Sequence, residues 1–249
     1  MKHCLASLVL ILLVSCANVR AAGETHIDVG HFSRGTPGEA LPPGWKPYRL
    51  GKALKETRYR LVKLEDRTVL EARAEQSVAA IAYELKANTS RTPWLSFSWR
   101  TERLIEQADM RTKAGDDYPA RVYVIFDYDV GRLPFAERMK LRMARAIWGE
   151  QVPAAALCYV WEPRQPVGHA AWSAYTSRLR MIVAESGTAR LGHWVTIERN
   201  VAEDFRAAFG ESAFVPWIPY FLGLRASAAW LSLAVGRRLA RGRHARLDL

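Results

Sequence analysis

The stretch Trp94-Leu95-Ser96-Phe97-Ser98-Trp99-Arg100 constrains the fold more than any other feature of this chain. From Leu95 onward apolar and polar residues alternate one for one. On an extended strand successive side chains point to opposite faces, so Leu95, Phe97 and Trp99 share one side and Ser96, Ser98 and Arg100 the other. A helix would scatter both sets around its axis. The segment must lay its apolar side on a second layer and pair its backbone with neighbouring strands.

The same reading recurs along the chain. Residues 58–62 and 69–73 flank the turn-like Glu65-Asp66-Arg67, and 77–85 form a third strand. In 120–128, Val122, Val124 and Phe126 fall on one face and Arg121, Tyr123 and Ile125 on the other. Residues 155–161, 178–185 and 194–201 complete the set. A short strand is expected at 27–32, then a loop over 35–44 broken by Pro37, Pro42 and Pro43. The polar stretch 103–118 reads as a loop. Many short strands divided by turns predict an all-β fold, an antiparallel β-sandwich of jelly-roll type.

Two segments change period. In 133–149, Phe135, Met139, Arg142, Met143, Ala146 and Ile147 fall near helical spacing among basic residues. They predict one amphipathic helix inserted between strands, with its apolar face buried on the sandwich; a helix lying on a membrane surface is the alternative. Residues 203–209 predict a short helix ended by Gly210.

Residues 1–21 read as a signal peptide: Lys2, a short apolar run over 5–14, and the small-residue site Val19-Arg20-Ala21. Leu13-Val14-Ser15-Cys16 also fits a lipobox, with Cys16 lipidated as an outer-membrane anchor. The expected location is therefore the periplasm or the outer membrane. Cys158 is the one cysteine beyond the leader, so it is expected as a small buried hydrophobe rather than half of a disulfide.

The formal net charge of +11 points to an acidic partner until its location is considered. Lys2 and Arg20 lie in the leader, and Arg225, Arg237, Arg238, Arg241, Arg243 and Arg246 in the last 25 residues. That leaves 28 basic against 24 acidic residues in 22–224. With no zinc finger, helix-turn-helix or basic–aromatic RNA motif in that body, nucleic acid is excluded as a partner. The domain is expected over 22–215, followed by an atypical tail at 216–249. From Gly223 onward, 21 of 27 residues are Gly, Leu, Arg or Ala, as a GC-rich gene read out of frame would give. A membrane anchor over 214–235 and a basic tail are the other readings.

Gly115-Asp116-Asp117-Tyr118-Pro119-Ala120-Arg121-Val122-Tyr123-Val124 resembles the central motif of the bacterial family called domain of unknown function 3047. Cys158-Tyr159-Val160-Trp161, Glu185-Ser186-Gly187 and Arg199-Asn200-Val201-Ala202-Glu203-Asp204-Phe205 fit the same family, over about residues 27 to 215. The resemblance implies an exported bacterial β-sandwich and implies no activity. The tail departs from the family's closing strands.

Asp116 and Asp117, with Asp109, Asp127 or Asp129, offer oxygen ligands, yet no Ca²⁺-loop spacing is present; the pair is expected to cap a turn and to meet Arg121. His26, His31, His169 and His193 lack metal-site spacing, and no metal or cofactor is expected. Glu102, Asp117, Glu162 and Glu185 are the candidates for a glycosidase carboxylate pair. No Gly-x-Ser-x-Gly elbow occurs. Asp116, Asp117, Arg121, Tyr123 and Trp161 are the candidate ligand-binding set, with Trp161, Trp172 and Trp194 as flat platforms for a sugar ring. The expected function is a non-enzymatic binding module for carbohydrate or another cell-envelope component. An envelope glycoside hydrolase and a structural or assembly protein are the alternatives.

Overall fold

The computed structural model describes residues 29–30, 32–38, 41–48, 58–73, 78–85, 87–210, 216–224 and 228–236. The leader with Cys16 and residues 237–249 lie outside them. The strands are β1 (Trp45–Tyr48), β2 (Arg58–Leu64), β3 (Arg67–Arg73), β4 (Val78–Tyr83), β5 (Ala87–Asn88), β6 (Trp94–Thr101) and β7 (Arg121–Phe126). They continue as β8 (Ala156–Glu162), β9 (Ala170–Ser173), β10 (Thr176–Ser186), β11 (Val195–Asn200), β12 (Pro216–Leu224) and β13 (Ala228–Gly236). Helix α1 (Phe135–Trp148) is inserted between β7 and β8, and α2 (Val201–Phe209) between β11 and β12.

The strands form two facing sheets, as the alternation requires. The larger runs β1-β4-β12-β7-β8-β10-β9, with β5 beside β12; the smaller runs β11-β6-β13-β3-β2. Leu95, Phe97 and Trp99 of β6 are buried, while Ser96, Ser98 and Arg100 are partly exposed. Their partners across the sandwich are aromatic: Phe97 lies 6.2 Å from Tyr159 and Trp99 5.8 Å from Trp161, ring centre to ring centre. Val122, Val124 and Phe126 of β7 join the same core. All-β architecture and antiparallel pairing hold with one exception. β10 runs parallel to β8, because the chain passes to the edge, makes β9, and returns through a tight hairpin between them.

Four expectations change. Of the strand expected at 27–32, the described residues 29, 30 and 32 form none: Phe32–Arg34 is a single 3₁₀ turn, closed by Gly35 N–H donating to the Phe32 carbonyl at 3.1 Å. The Val29 carbonyl is taken by the Trp45 indole N–H at 2.9 Å instead of by a strand. The described part of 214–235, residues 216–224 and 228–235, is strand where a membrane helix was one reading. These residues belong to β12 and β13, and no helix among the described residues is long and apolar enough to cross a membrane. Both strands lie within the segment read as an atypical tail, and both are central, β12 between β4 and β7 and β13 between β6 and β3. Pro219, opposite Val124, has no N–H to give that ladder.

The fourth change concerns α1. The helix forms where expected, but it turns its apolar stripe outward. Phe135 is 71%, Met143 63% and Ile147 68% exposed, and only Leu141 is buried. The cause lies at the helix ends. Leu133 before it and Ala154 after it are buried and gather Leu141 into a small cluster of their own, away from the main core. That contact selects the side that faces in. The second helix is capped as its sequence dictates. The Asn200 carboxamide oxygen accepts from the Ala202 and Glu203 N–H groups, and Gly210 takes the left-handed conformation that ends the helix.

Candidate functional site

Asp116, Arg121 and Tyr123 do come together, but under cover. Arg121 and Tyr123 lie on the outer face of the larger sheet, and the loop at 102–120, which carries Asp116, folds over them. Ala108, Met110 and Tyr118 of the loop pack on Cys158, Val160, Met181 and Val183 of the sheet as a second core. Arg121 is only 2% exposed. Its guanidinium donates to Asp116 Oδ1 at 2.7 Å, to the Asp116 carbonyl at 2.6 Å and to the Tyr123 hydroxyl at 3.3 Å. The Tyr118 ring lies 5.0 Å from it. Burial pushes the Cys158 thiol up to about 12 and raises the Tyr118 and Tyr123 hydroxyls as well. Arg164 fastens the loop from outside, donating to the Glu106 and Ala108 carbonyls at 3.1 and 2.6 Å. This cluster holds a loop to a sheet. Asp117, partly exposed, has its N–H on the Gly115 carbonyl within the same loop turn.

Trp161 lies on the opposite side of its strand and does not join that set. It is wholly buried between the sheets against Trp99, and its indole N–H donates to the Gly187 carbonyl at 3.0 Å. The expectation that it offers a flat platform fails, because the core occupies its ring. The candidate carboxylates are committed elsewhere. Glu162 is buried and accepts from the Arg164 N–H at 2.5 Å and from the Gln165 N–H. Glu185 is buried, accepts from Ser186 N–H and pairs with Arg190 at 3.0 Å. Glu102 pairs with Arg100 at 3.0 Å on the outside of the smaller sheet. Among the described residues no three His, Cys, Asp or Glu side chains gather as a metal site.

A different surface is open. Past the edge of the smaller sheet, the inner face of β9 and β10 is flanked by α2, which is tied down through Asp204. That carboxylate accepts from the Tyr159 hydroxyl at 2.7 Å and from Arg199 at 2.9 and 2.5 Å. Beside it runs a row in which guanidinium groups and rings alternate. Arg132 lies 5.9 Å from the Tyr128 ring; Arg178 lies 4.8 Å from Tyr128 and 4.8 Å from Phe209. Phe209 meets Trp172 edge-on at 5.5 Å, and Arg180 lies 5.1 Å from Trp172. Trp172 is 37% exposed. At the adjoining hairpin tip Tyr175 is exposed, with Lys113 Nζ 5.4 Å from its ring. Arg178 and Arg180 are held in place by donating to the Ala154 and Ala170 carbonyls at 2.6 and 3.1 Å.

A family model described as protein of unknown function (DUF3047) matches residues 43–220. The chain belongs to this family. The match takes in every strand from β1 to the first half of β12, and with them both the covered cluster and the open row. No curated protein matches the chain. Among solved structures it is similar to the family 11 carbohydrate-binding module of the cellulosomal cellulase Lic26A-Cel5E of Clostridium thermocellum. The identity there is 10%, over 89% of this chain and 100% of that one, with a TM-score of 0.43. The xyloglucanase domain of NopAA, a type three effector from Sinorhizobium fredii, is 6% identical over 85% of this chain and 98% of its own, with a TM-score of 0.42. Endoglucanase 3 of Trichoderma harzianum, from family GH12, is 7% identical over 79% and 98%, with a TM-score of 0.34.

In this member of the family, sequence reasoning named Trp172 but missed its companions. Arg178 and Arg180 stand two apart in an expected strand, a spacing that puts both on one face. The two-residue turn between β9 and β10 is Ala174-Tyr175, so the hairpin carries Tyr175 at its tip and Trp172 just before it. Phe209 and Tyr128 carry no sequence signal, since each comes from a different part of the chain.

Proposed function

We propose that the protein is a non-enzymatic carbohydrate-binding module of the bacterial cell envelope. The observation that carries this reading is the open arginine–aromatic row ending in the exposed Trp172. A sugar ring presents C–H groups on its faces and hydroxyls on its rim. An aromatic face takes the first, and guanidinium N–H groups donate to the second. Both are supplied within one row and fixed by the strands beneath, so little ordering is needed on binding. Glu162 and Glu185 serve turns and an ion pair, which favours binding over hydrolysis at this surface.

The test is a glycan array of neutral and acidic envelope polysaccharides probed with the full chain, followed by titration calorimetry on the ligands found. Trp172→Ala is expected to weaken binding about tenfold, or ~1.4 kcal/mol, while the protein, slightly less stable for the lost contact with Phe209, still unfolds cooperatively above the assay temperature. An array without binding, or an unaltered affinity in Trp172→Ala, refutes it. Export belongs to the same proposal and is supported by Lys2, the apolar run over 5–14 and Val19-Arg20-Ala21. Mass spectrometry of the protein from cells is expected to find a mature N-terminus after residue 21 or a lipid-bearing Cys16; an intact Met1 refutes export.

A further inference from the structure

We infer that the outward face of α1 docks on an anionic phospholipid surface. The helix carries Arg138, Lys140, Arg142 and Arg145 against the single carboxylate of Glu137, which pairs with Lys140 at 2.9 Å. Successive residues of a helix are about 100° apart, so Phe135, Ala146, Met139, Met143 and Ile147 form one stripe about 120° wide. All five are exposed. Arg142 lies about 20° outside one edge of that stripe and Lys140 about 20° outside the other. Both are exposed too.

An apolar strip edged on both sides by long cationic side chains matches one kind of occupant. The rings and thioethers enter the boundary between headgroups and acyl chains, and the Lys and Arg stems run up to the phosphates. The opposite side of the helix is already engaged: Leu141 sits in its cluster, Arg145 donates to the Val152 carbonyl at 3.1 Å, and Glu137 accepts from Ser177 at 3.2 Å. The helix is therefore presented flat on the body, with its stripe away from it. A second copy of the chain is a poorer occupant. Two such faces would bring cationic edges together, and like charges placed side by side repel. An apolar partner protein would leave Arg142 without a counter-charge, whereas an anionic leaflet supplies one along the whole helix.

The experiment is flotation of the full chain with vesicles of phosphatidylcholine and phosphatidylglycerol, set beside vesicles of phosphatidylcholine alone. The parent is expected to float with the anionic vesicles and to be released by high salt. Met143→Glu/Ile147→Glu is expected to lower partitioning at least about tenfold, and Lys140→Glu/Arg142→Glu by roughly fivefold per cation removed. Melting temperatures should move little, because Arg142, Met143 and Ile147 are exposed and Lys140 gives up only its exposed pair with Glu137; Met143→Ser/Ile147→Ser replaces the glutamate pair if its melting temperature falls. Three results overturn the inference: no flotation of the parent, equal flotation with neutral vesicles, or variants that float like the parent. The last would assign binding to the leader or the arginine-rich end. Sedimentation velocity decides for a second copy: a dimer dissociated by Met143→Glu/Ile147→Glu with vesicle binding intact also overturns it.

Discussion

Replacing Arg121 with methionine tests what the loop at 102–120 does. Arg121 is buried, and its partner Asp116 has a side chain only 11% exposed. Methionine fills much of the same volume, so little cavity is created and the loss is mainly electrostatic. The Asp116 carboxylate loses its counter-ion at 2.7 Å and stays largely out of water. Breaking one side of such a pair costs about 3–5 kcal/mol. A domain of this kind is stable by about 5–15 kcal/mol, so the single change removes a large share of the total. Urea unfolding followed by tryptophan fluorescence is expected to show a lower midpoint with a similar slope. Adding Asp116→Leu removes the second charge. The double variant should then recover to within about 2 kcal/mol of the parent, because two absent charges cost less than one unpaired charge. A cost under about 1 kcal/mol for Arg121→Met, or no recovery in the double variant, would refute the reasoning: Arg121 would be hydrated and the loop would not seal the sheet.

Alkaline pH supplies a second test. The folded pKa of the Cys158 thiol is about 12, above its ordinary value near 9, and Tyr118, Tyr123 and Tyr159 are shifted the same way by burial. The unfolded chain releases these protons first, so stability is present below pH about 9 and falls as pH rises toward 12, by up to ~1.4 kcal/mol per unit for the thiol alone. Urea midpoints from pH 8 to 11 are expected to decline, and Cys158→Ala should flatten the early part of the decline; a pH-independent midpoint contradicts the burial of these groups. Asn200→Ala removes the oxygen that caps α2 and is expected to cost about 1 kcal/mol by the same unfolding assay. A change within error would mean that the cap is replaced by water.

The alternation around Trp99 and Val124 was enough to require two layers, because an extended backbone leaves a side chain no choice of face. The Gly210 stop and the two-residue turn at Glu65-Asp66 are likewise local rules and were legible in order along the chain; the helix before Gly210 was read from residue 203, and its start at Val201 behind the Asn200 cap was missed. The roles of Trp161 and Trp172 were not. Both are tryptophans in strands; one is sealed by Trp99 and the other is left half open, and the difference depends on where the smaller sheet ends. The same holds for Arg121, whose strand face was open on paper and is roofed by a loop that carries its counter-ion. Periodicity found the amphipathic helix but could not orient it, since an apolar stripe states that a face exists and not what covers it.

The sequence by itself determined β2, β3, β4, β6, β7, β8, β10 and β11, the turn at Glu65-Asp66, the Gly210 stop and the face on which each of those strands' side chains lies, because these depend on residues within a few positions of one another. Only the tertiary structure decided which faces are covered: Arg121 under its loop, Trp161 in the core, Trp172 and the α1 stripe in the open. That decision is made by segments up to a hundred residues apart meeting in space, and burial, charge pairing and access all follow from who the neighbour is.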